Sequence, residues 1–273
     1  MDKRRLLKIS KGYNFRDIGG YTAERGKKVR WGKIFRASSM SNLSKKDVNY
    51  LENKKIDRII DFRTTTEVYN EPDKKLNSSI DINIPAMSVD QTNSRIKYRQ
   101  LNQTYEKKSY GYFKMLDNYK HLIEDGISNK AYYNFFKTLV NEKNSLIFHC
   151  TAGKDRTGIA SMLLMGLLGI NYTEIKHDYL LSNRLSLNIM ETRLRFMKTQ
   201  GASKSELENI KAMWTVNIDY LNKALDTIKG LSGNLKKYLK DYIQLKEEDI
   251  NILKEKYLFF EEPNSKYNKI IFL

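Results

Sequence analysis

The stretch that decides the fold reads Leu146-Ile147-Phe148-His149-Cys150-Thr151-Ala152-Gly153-Lys154-Asp155-Arg156-Thr157-Gly158. A short apolar run ends at Cys150, five residues separate that cysteine from Arg156, and a second apolar run occupies residues 159–168. This order predicts a buried strand, a tight loop and a helix. Backbone N–H groups of a loop that enters a helix have no intrahelical partner, and the helix dipole adds partial positive charge. The sequence therefore predicts a binding site for an oxyanion such as phosphate.

Cys150 supplies this anion site with a nucleophile. A free thiol ionises near pH ~8.5, so the loop N–H groups and Arg156 are expected to stabilise the reactive thiolate at neutral pH. The planar fork of Arg156 matches two phosphate oxygens, which a lysine cannot do. Thr157 can hydrogen-bond the sulfur and assist its departure. A lone cysteine can also be a small buried hydrophobic residue, but Cys, Arg and Thr at this spacing meet several catalytic requirements at once.

Residues 149–158 resemble the signature of the cysteine-dependent protein tyrosine phosphatases. More narrowly, the Ala-Gly-Lys-Asp-Arg-Thr-Gly run at 152–158 is similar to the loop of bacterial tyrosine/serine phosphatases that also accept phosphoinositides. The resemblance implies an α/β fold with a mostly parallel central sheet flanked by helices and a helical C-terminal extension. It implies phosphate-ester hydrolysis without a cofactor, with His149 supporting the loop. The residues expected to bind phosphate are Thr151, Ala152, Gly153, Lys154, Asp155 and Arg156.

Two carboxylates are candidates for the general acid of this site. Many tyrosine phosphatases carry it on a Trp-Pro-Asp loop, but neither Trp31 nor Trp214, the two tryptophans, is followed by proline. By resemblance Asp155 is the acid that protonates the leaving oxygen, with Asp61 as the alternative; Asp155 can also cap the following helix. Lys154 adds a second cation at the rim of the loop, which favours inositol phospholipids as substrates.

Four upstream residues are expected to support the site. Asn14 and Asp17 belong to a turn-rich segment that resembles the family's Asn-Phe-Arg-Asp-Leu-Gly-Gly element, and we assign them to framing the loop. Asp61 and Arg63 end the β-branched run 56–62 and resemble its Asp-Leu-Arg element. Because ligands bind at the carboxyl ends of parallel strands, both are expected on the rim of the same crevice. Alternatively, Asp61 caps a helix starting near residue 65 and Arg63 pairs with a core carboxylate.

Hydrophobic periodicity predicts the remaining elements. Residues 29–37 form a strand or hairpin, and Ser44 with Asp47 caps a helix running to about residue 53. Strands are predicted at 56–62 and 79–86, a polar connection at 87–103, and helices at 105–123, 129–140 and 173–183. No linker or repeat divides the chain, so we predict one domain over residues 1–273, with the helices of residues 214–260 packed on it.

A helical lid is predicted over residues 184–213. The segment follows the loop helix closely enough to fold back across the crevice, and helices after the signature can act as a lid in the family resembled. Its apolar residues Met190, Leu194, Phe196 and Met197 are expected to lie over the loop, and Arg184, Arg193 and Arg195 to face the incoming phosphate. The alternative is another core-covering helix pair.

Charge and composition indicate which classes of partner the protein can bind. The 273 residues include 49 Lys and Arg and 32 Asp and Glu, for a formal charge of +17. This charge attracts polyanions, although a solvated, lysine-rich surface explains it equally well. No basic run is interleaved with stacking aromatics, so specific nucleic-acid binding is not expected. The expected partners are a phosphoprotein or phosphoinositide substrate and, peripherally, an anionic membrane.

Cysteine and histidine usage bears on compartment and metal binding. One cysteine excludes an internal disulfide and suits a reducing compartment. Residues 1–10 lack the apolar region of a signal peptide, and no segment approaches the ~20 apolar residues of a membrane span. We expect a cytoplasmic protein, with secretion or delivery into a host cell as the alternative. Three scattered histidines and one cysteine show no metal-ligand spacing, so no metal site is expected.

The sequence leaves several functions open. We favour hydrolysis of phosphotyrosine, with phosphoserine, phosphothreonine and phosphoinositides as further substrates, through a phosphocysteine intermediate. A phosphatase dedicated to phosphoinositides is the first alternative. A rhodanese-like sulfurtransferase also places a loop cysteine before a helix, but Arg156 followed by Thr157 favours phosphate. A non-catalytic phosphate-binding module would not need Cys150.

Overall fold

The computed structural model describes residues 2–92 and 96–261. The strands are β1 (Arg16–Asp17), β2 (Lys28–Val29), β3 (Ile34–Ala37), β4 (Ile56–Asp61), β5 (Ile80–Asn83), β6 (Ser145–His149) and β7 (Leu258–Phe259). Five of them form the central sheet in the order β1-β3-β6-β4-β5, and β2 pairs with β7 in a separate ribbon. Within the sheet β3, β6, β4 and β5 are parallel, and β1 is an antiparallel edge strand.

Helices cover both faces of this sheet. They are α1 (Lys45–Glu52), α2 (Thr65–Asn70), α3 (Tyr110–Glu124), α4 (Gly126–Asn141), α5 (Arg156–Leu167), α6 (Tyr172–Thr199), α7 (Lys204–Trp214), α8 (Ile218–Ser232), α9 (Leu235–Asp241) and α10 (Glu247–Tyr257). The mostly parallel sheet with flanking and C-terminal helices confirms the predicted fold class. Within the described residues, no helix combines the length and apolar character that crossing a membrane requires.

The central position of β6 explains the continuous apolar run that precedes Cys150. All five residues of β6 are buried. Leu146 and Phe148 belong to the larger hydrophobic core, whereas Ile147 belongs to a second cluster with Phe35 and Ile59. A parallel strand covered on both faces does not need to alternate apolar and polar residues. The apolar run of α5 is likewise continuous, because this helix is buried along nearly its whole length.

The sheet register brings two strand ends together at the site. β4 and β6 are adjacent and parallel, and Asp61 pairs in register with His149. Cys150 therefore begins its loop directly beside the end of β4. This is the crevice at the carboxyl ends of the strands that the sequence predicts for Asp61 and Arg63.

Several predicted elements are confirmed. Ser44 and Asp47 form a reciprocal capping box at the start of α1. Strands 56–62 and 79–86 correspond to β4 and the shorter β5, and helix 129–140 lies within α4. Each of these elements is marked by a local signal, such as a helix cap or a β-branched run. Signals of this kind do not depend on distant partners.

One open alternative is decided and two predicted boundaries are wrong. Residues 29–37 contain the strand β3 and not a hairpin, because β2 pairs with β7 while β3 joins the central sheet. The helix predicted at 173–183 continues to Thr199 as α6, since no glycine or proline interrupts residues 172–199. The helix predicted at 105–123 starts only at Tyr110, after a 3-10 turn over Gln103–Glu106.

The C-terminal helices contact the same core as the sheet. The Tyr238 hydroxyl donates to the Ile123 carbonyl at 2.8 Å and to Asn129 at 2.7 Å. Tyr257 of α10 donates to the Leu139 carbonyl at 2.9 Å. These bonds attach residues of the 214–260 segment to α3 and α4. Two parts of the predictions, residues 93–95 of the polar connection and residues 262–273 of the domain, lie outside the described residues.

Candidate active site

The candidate site is the loop between β6 and α5. Cys150 is buried immediately after the strand. Gly153 has φ 67°, and a Cβ at this position would lie 2.2 Å from the Ala37 carbonyl oxygen. Only glycine allows this close approach of the loop to the end of β3. The backbone of the loop is therefore held against the sheet on one side and enters the helix on the other.

Arg156 is held in the site by a glutamate that the sequence analysis missed. Its two terminal nitrogens donate to the two carboxylate oxygens of Glu67 at 2.7 and 2.8 Å, and one also donates to Thr151 at 3.2 Å. Burial would raise the pKa of Glu67, but hydrogen bonds and charge from Arg156 outweigh it and lower the pKa to about 2. A bidentate pair of this kind fixes the plane of the guanidinium.

Glu67 also completes the capping box of α2 with Thr64. The Thr-x-x-Glu pattern at 64–67 was a sequence signal for a helix start. Nothing in that local pattern indicated the contact with Arg156, which lies 89 residues further along the chain. The cap of α2 is therefore Thr64 and not Asp61, which corrects the alternative role considered for Asp61.

Asp155 accepts a hydrogen bond from a chain of two buried tyrosine hydroxyl groups. Its Oδ1 accepts from the Tyr119 hydroxyl at 2.8 Å, and Tyr119 accepts from Tyr179 at 2.7 Å. Burial and the charge of Asp155 raise the pKa of Tyr119 well above its usual value, so Tyr119 remains a donor. Asp155 occupies the N-cap position of α5, but its side chain makes no capping hydrogen bond. Helix capping is therefore not its role in this geometry.

Lys154 is buried, which differs from the expected position at the rim of the loop. Its Nζ donates to Asp155 Oδ2 at 2.7 Å and to the Met213 carbonyl at 2.7 Å. Met213 lies in the last turn of α7. Lys154 thus connects the loop to α7. The helices over the loop shield this side chain from solvent.

Asp61 belongs to a buried charge network behind the loop. Both of its carboxylate oxygens accept from Arg63, which also donates to Asp73 at 2.7 Å. His149 Nε2 lies 3.1 Å from Asp73. Burial alone would lower the pKa of His149, but the charges of Asp61 and Asp73 raise it to about 9.

The same network contains a set of side chains that the sequence did not associate. Ligand atoms of Asp61, Asp73 and His149 lie within 4.8 Å of one another, a combination that can hold a metal ion. Here Arg63 bridges the two carboxylates. We interpret the cluster as an ion-pair network that supports Arg63 and His149 next to Cys150.

A second buried network frames the other side of the loop. Asn14 donates to the carbonyls of Ala152 and Gly153 at 3.0 and 2.9 Å. Arg36 donates to the Gly153 carbonyl at 2.8 Å and to Asp178 at 2.6 Å. Asp178, on α6, also pairs with Arg16 at 2.8 Å. The sequence analysis missed Arg36 and Asp178, since a strand arginine and a helix aspartate carry no local signal of their pairing.

The structure gives two other predicted site residues, Asp17 and Thr157, different surroundings. Asp17 accepts from the backbone N–H groups of Gly19 and Gly32, each at 2.7 Å. It therefore stabilises a turn, and among the described residues it has no hydrogen bond to the loop. Thr157 lies in the first turn of α5, and its buried hydroxyl has no hydrogen-bond partner in the described parts of the chain. That hydroxyl suits the predicted hydrogen bond to the sulfur.

The Asp178 pair gives a stability prediction. Asp178→Asn should lower the free energy of unfolding by about 3–5 kcal/mol, because it leaves the buried guanidinium groups of Arg16 and Arg36 without a counter-charge. Urea denaturation measures this change. Glu191→Gln, on the exposed surface of the same helix, is the control and should change stability by less than about 0.5 kcal/mol. Equal, small changes in both variants would contradict the proposed importance of the network.

Side chains of α6 and α7 line one cavity together with the loop, and we call this part of the two helices the cover. Ala152 and Lys154 share a small cavity with Met190, Arg193 and Trp214. Met190 and Met197 of α6 pack with Trp214 of α7 in a separate hydrophobic cluster, and Arg193 stacks over Trp214. The cover is therefore built from both helices.

Two residues of the predicted lid segment, Arg195 and Phe196, do not face the loop as expected. Phe196 is 61% exposed, and Arg195 lines an outer groove instead of facing the loop. α7 is anchored through buried Asn209, which donates to the Tyr105 carbonyl at 2.6 Å and accepts from the Gly111 N–H at 2.9 Å. The Asn209 contacts attach α7 to the segment around Tyr105 and Gly111, and movement of the cover stays a prediction.

Comparison with known proteins identifies the family of this site. The family model described as the tyrosine phosphatase family matches residues 7–259. A Cupriavidus necator protein named as a candidate tyrosine-protein phosphatase is 27% identical over 251 residues, covering 90% of this chain and 85% of that protein. The triple specificity protein phosphatase PtpB of Mycobacterium tuberculosis is 25% identical over 84% of this chain and 91% of its own length. A tyrosine-protein phosphatase of Nostoc commune is 46% identical over 48 residues, 18% of this chain and 16% of that protein.

Proposed function

The chain belongs to the tyrosine phosphatase family and is a protein-tyrosine-phosphatase-like hydrolase, and we propose that it cleaves phosphate monoesters through a phosphocysteine intermediate on Cys150. The observation that carries this proposal is the placement of Cys150 and Arg156 at the two ends of one short loop between β6 and α5. Glu67 holds the guanidinium in one plane there. The nucleophile and the oxyanion site therefore come from the same short segment.

In the first step the Cys150 sulfur attacks phosphorus and the bond to the leaving oxygen breaks. Backbone N–H groups of residues 151–156 and the Arg156 guanidinium hold the three equatorial oxygens, where charge is spread in the transition state. The leaving oxygen takes a proton from an acid. In the second step water attacks the phosphocysteine, gives its proton to the same carboxylate, and releases phosphate and the Cys150 thiolate. Thr157 donates to the departing sulfur.

We assign the acid role to Asp155 in preference to Asp61. Both carboxylate oxygens of Asp61 accept hydrogen bonds from Arg63, so this side chain is already engaged in the network behind the loop. Asp155 is part of the loop, so it lies close to any ester bound there. Lys154 donates to Asp155 in this structure, and the substrate phosphate offers Lys154 a new partner. Movement of Lys154 to the substrate would leave Asp155 able to carry the proton.

Trapping the intermediate tests the proposed chemistry. A mixture of enzyme and small aryl phosphate, quenched in acid during turnover, should contain a peptide with one added phosphoryl group on Cys150. Mass spectrometry of the digested protein locates the group. Turnover with the phosphoryl group found on another residue, or with none found during a measured burst of phenol release, would contradict the phosphocysteine mechanism.

The substrate range is proposed to include phosphotyrosine, phosphoserine or phosphothreonine, and phosphoinositides. The support is the charge near the loop: a neighbouring cavity of about 560 Å³ is lined by Lys97, Arg99 and Arg193 together with Trp214. The relative PtpB is named a triple specificity phosphatase, which agrees with a broad range. A sulfurtransferase role is not consistent with the family assignment, and a phosphatase dedicated to phosphoinositides stays as the alternative.

Lys154 provides a test of the phosphoinositide proposal. Lys154→Ala should reduce kcat/KM for an inositol phospholipid about 5–30-fold more than for a phosphotyrosine peptide. This corresponds to about 1–2 kcal/mol for one charge-assisted contact to a second phosphate. Lys236→Ala, which removes an exposed lysine of α9, should leave both rates unchanged. Parallel losses on both substrates would show that Lys154 acts only on Asp155 or on the loop.

A further inference from the structure

The outer side of the cover carries a groove that the phosphatase mechanism does not use. It lies between α6 and α7 and has a volume of about 510 Å³. Leu194, Ala202 and Leu207 form its apolar lining. Leu194 and Leu207 also pack against the hydrophobic cluster of the cover, so the groove and the inner surface share side chains.

The rim of the groove is strongly basic. The cations that line it are Arg195, Lys198, Lys204 and Lys211, and the one carboxylate that lines it is Glu208, 4.0 Å from Lys204. Each of the four basic residues is exposed. A groove with an apolar lining and a cationic rim matches the two parts of an anionic lipid, the acyl chain and the charged headgroup.

One exposed apolar residue on the same helix extends this surface. Leu187 is 43% exposed and lies about two turns before Leu194 on the same face of α6. An acidic peptide would use the charge of the rim, whereas a bilayer also accommodates the apolar lining and the exposed leucine. A bilayer is therefore the occupant that fits both features.

We propose that the groove between α6 and α7 docks on an anionic lipid bilayer, and that docking draws α6 away from the active-site loop. The inner side of the same helices covers Ala152 and Lys154 with Met190 and Trp214. Lys154 donates to the Met213 carbonyl in α7, so it keeps this partner when α6 alone moves. Membrane contact would therefore expose the loop where lipid substrates are present.

Vesicle binding tests the docking step without using catalysis. The full chain is sedimented with vesicles of phosphatidylcholine alone or of phosphatidylcholine mixed with phosphatidylserine, at physiological salt. We expect binding only to the mixed vesicles. Because each basic residue near an anionic surface strengthens binding about fivefold, Lys198→Glu combined with Lys204→Glu should weaken it about tenfold or more.

A matched control separates this surface from net charge. Lys237→Glu combined with Lys240→Glu changes the charge of the protein equally at exposed positions of α9 and should weaken binding by less than about threefold. Equal losses in the two double variants, or no binding of the wild type to mixed vesicles, would overturn the docking proposal. Leu207→Asn should also weaken binding, and an undiminished affinity would exclude the apolar groove.

Turnover of a soluble aryl phosphate tests the coupling. Mixed vesicles should raise the rate of the wild type severalfold and leave the Lys198→Glu, Lys204→Glu variant at its basal rate, which should equal that of the wild type without vesicles. Binding with no change in rate would overturn the coupling to the loop. Activation by poly-glutamate as strong as that by mixed vesicles would assign the groove to an acidic protein instead.

Discussion

Cys150→Ser should lower turnover of a small aryl phosphate by about 10⁴-fold or more, because removal of a catalytic nucleophile leaves only the anion site. The serine hydroxyl is a much weaker nucleophile at neutral pH, since the loop can stabilise a thiolate but not readily an alkoxide. Binding of a phosphorylated ligand should persist, because residues 151–156 and the Arg156–Glu67 pair are unchanged. Steady-state kinetics and calorimetry with the product phosphate measure the two effects separately.

Alkylation provides the matching control on the wild type. Iodoacetate at pH 6 should inactivate the enzyme faster than it reacts with a free model thiol, and phosphate should protect against it. Cys150 is the only cysteine, so incorporation of one carboxymethyl group reports on this site alone. A Cys150→Ser variant with substantial turnover, or a thiol no more reactive than a free one, would exclude Cys150 as an activated nucleophile.

Asp155→Asn should lower kcat by roughly 10²–10⁴-fold for esters whose leaving group needs a proton. The loss should be much smaller for aryl phosphates with strongly electron-withdrawing substituents, because their leaving oxygen departs without protonation. The variant should also lose the fall in rate at alkaline pH that reports on deprotonation of the acid. A series of substituted aryl phosphates, measured across pH, distinguishes this from a general loss of activity.

Asp61→Asn is the comparison that decides between the two carboxylates. It removes one partner of Arg63 and one of the charges beside His149. We expect lower stability and a moderate loss of rate that is the same for all leaving groups. If Asp61→Asn instead shows the leaving-group dependence while Asp155→Asn is mild, the acid is Asp61.

Local sequence was sufficient for much of the fold and for the centre of the site. The strand, loop and helix around Cys150 follow from two apolar runs and a cysteine-arginine spacing, and the start of α1 follows from Ser44 and Asp47. The residues expected to bind phosphate, 151–156, are consecutive in the chain, so their place in one loop was also predictable. Such features depend on contacts between near neighbours, which the order of residues specifies directly.

Partners distant in sequence were not predictable. Glu67, which holds Arg156, and Asp178, which pairs with Arg36, carry ordinary helix signals in their own segments. The Tyr119 hydroxyl that binds Asp155 lies in a segment for which hydrophobic periodicity predicted only a helix. A buried charge or hydroxyl finds its partner through the packing of whole elements, and a single sequence contains no record of that pairing.

The sequence by itself determined the α/β class and the strand, loop and helix around Cys150, because each rests on residue chemistry and local spacing. The tertiary structure alone decided the surroundings of that loop. In the folded chain Lys154 is buried under α7 and does not lie at the rim. Asp61 pairs with Arg63, and α6 crosses the site as one continuous helix. The physical reason is that burial and charge compensation are properties of the packed chain: a lysine or aspartate has no fixed environment until distant elements close around it.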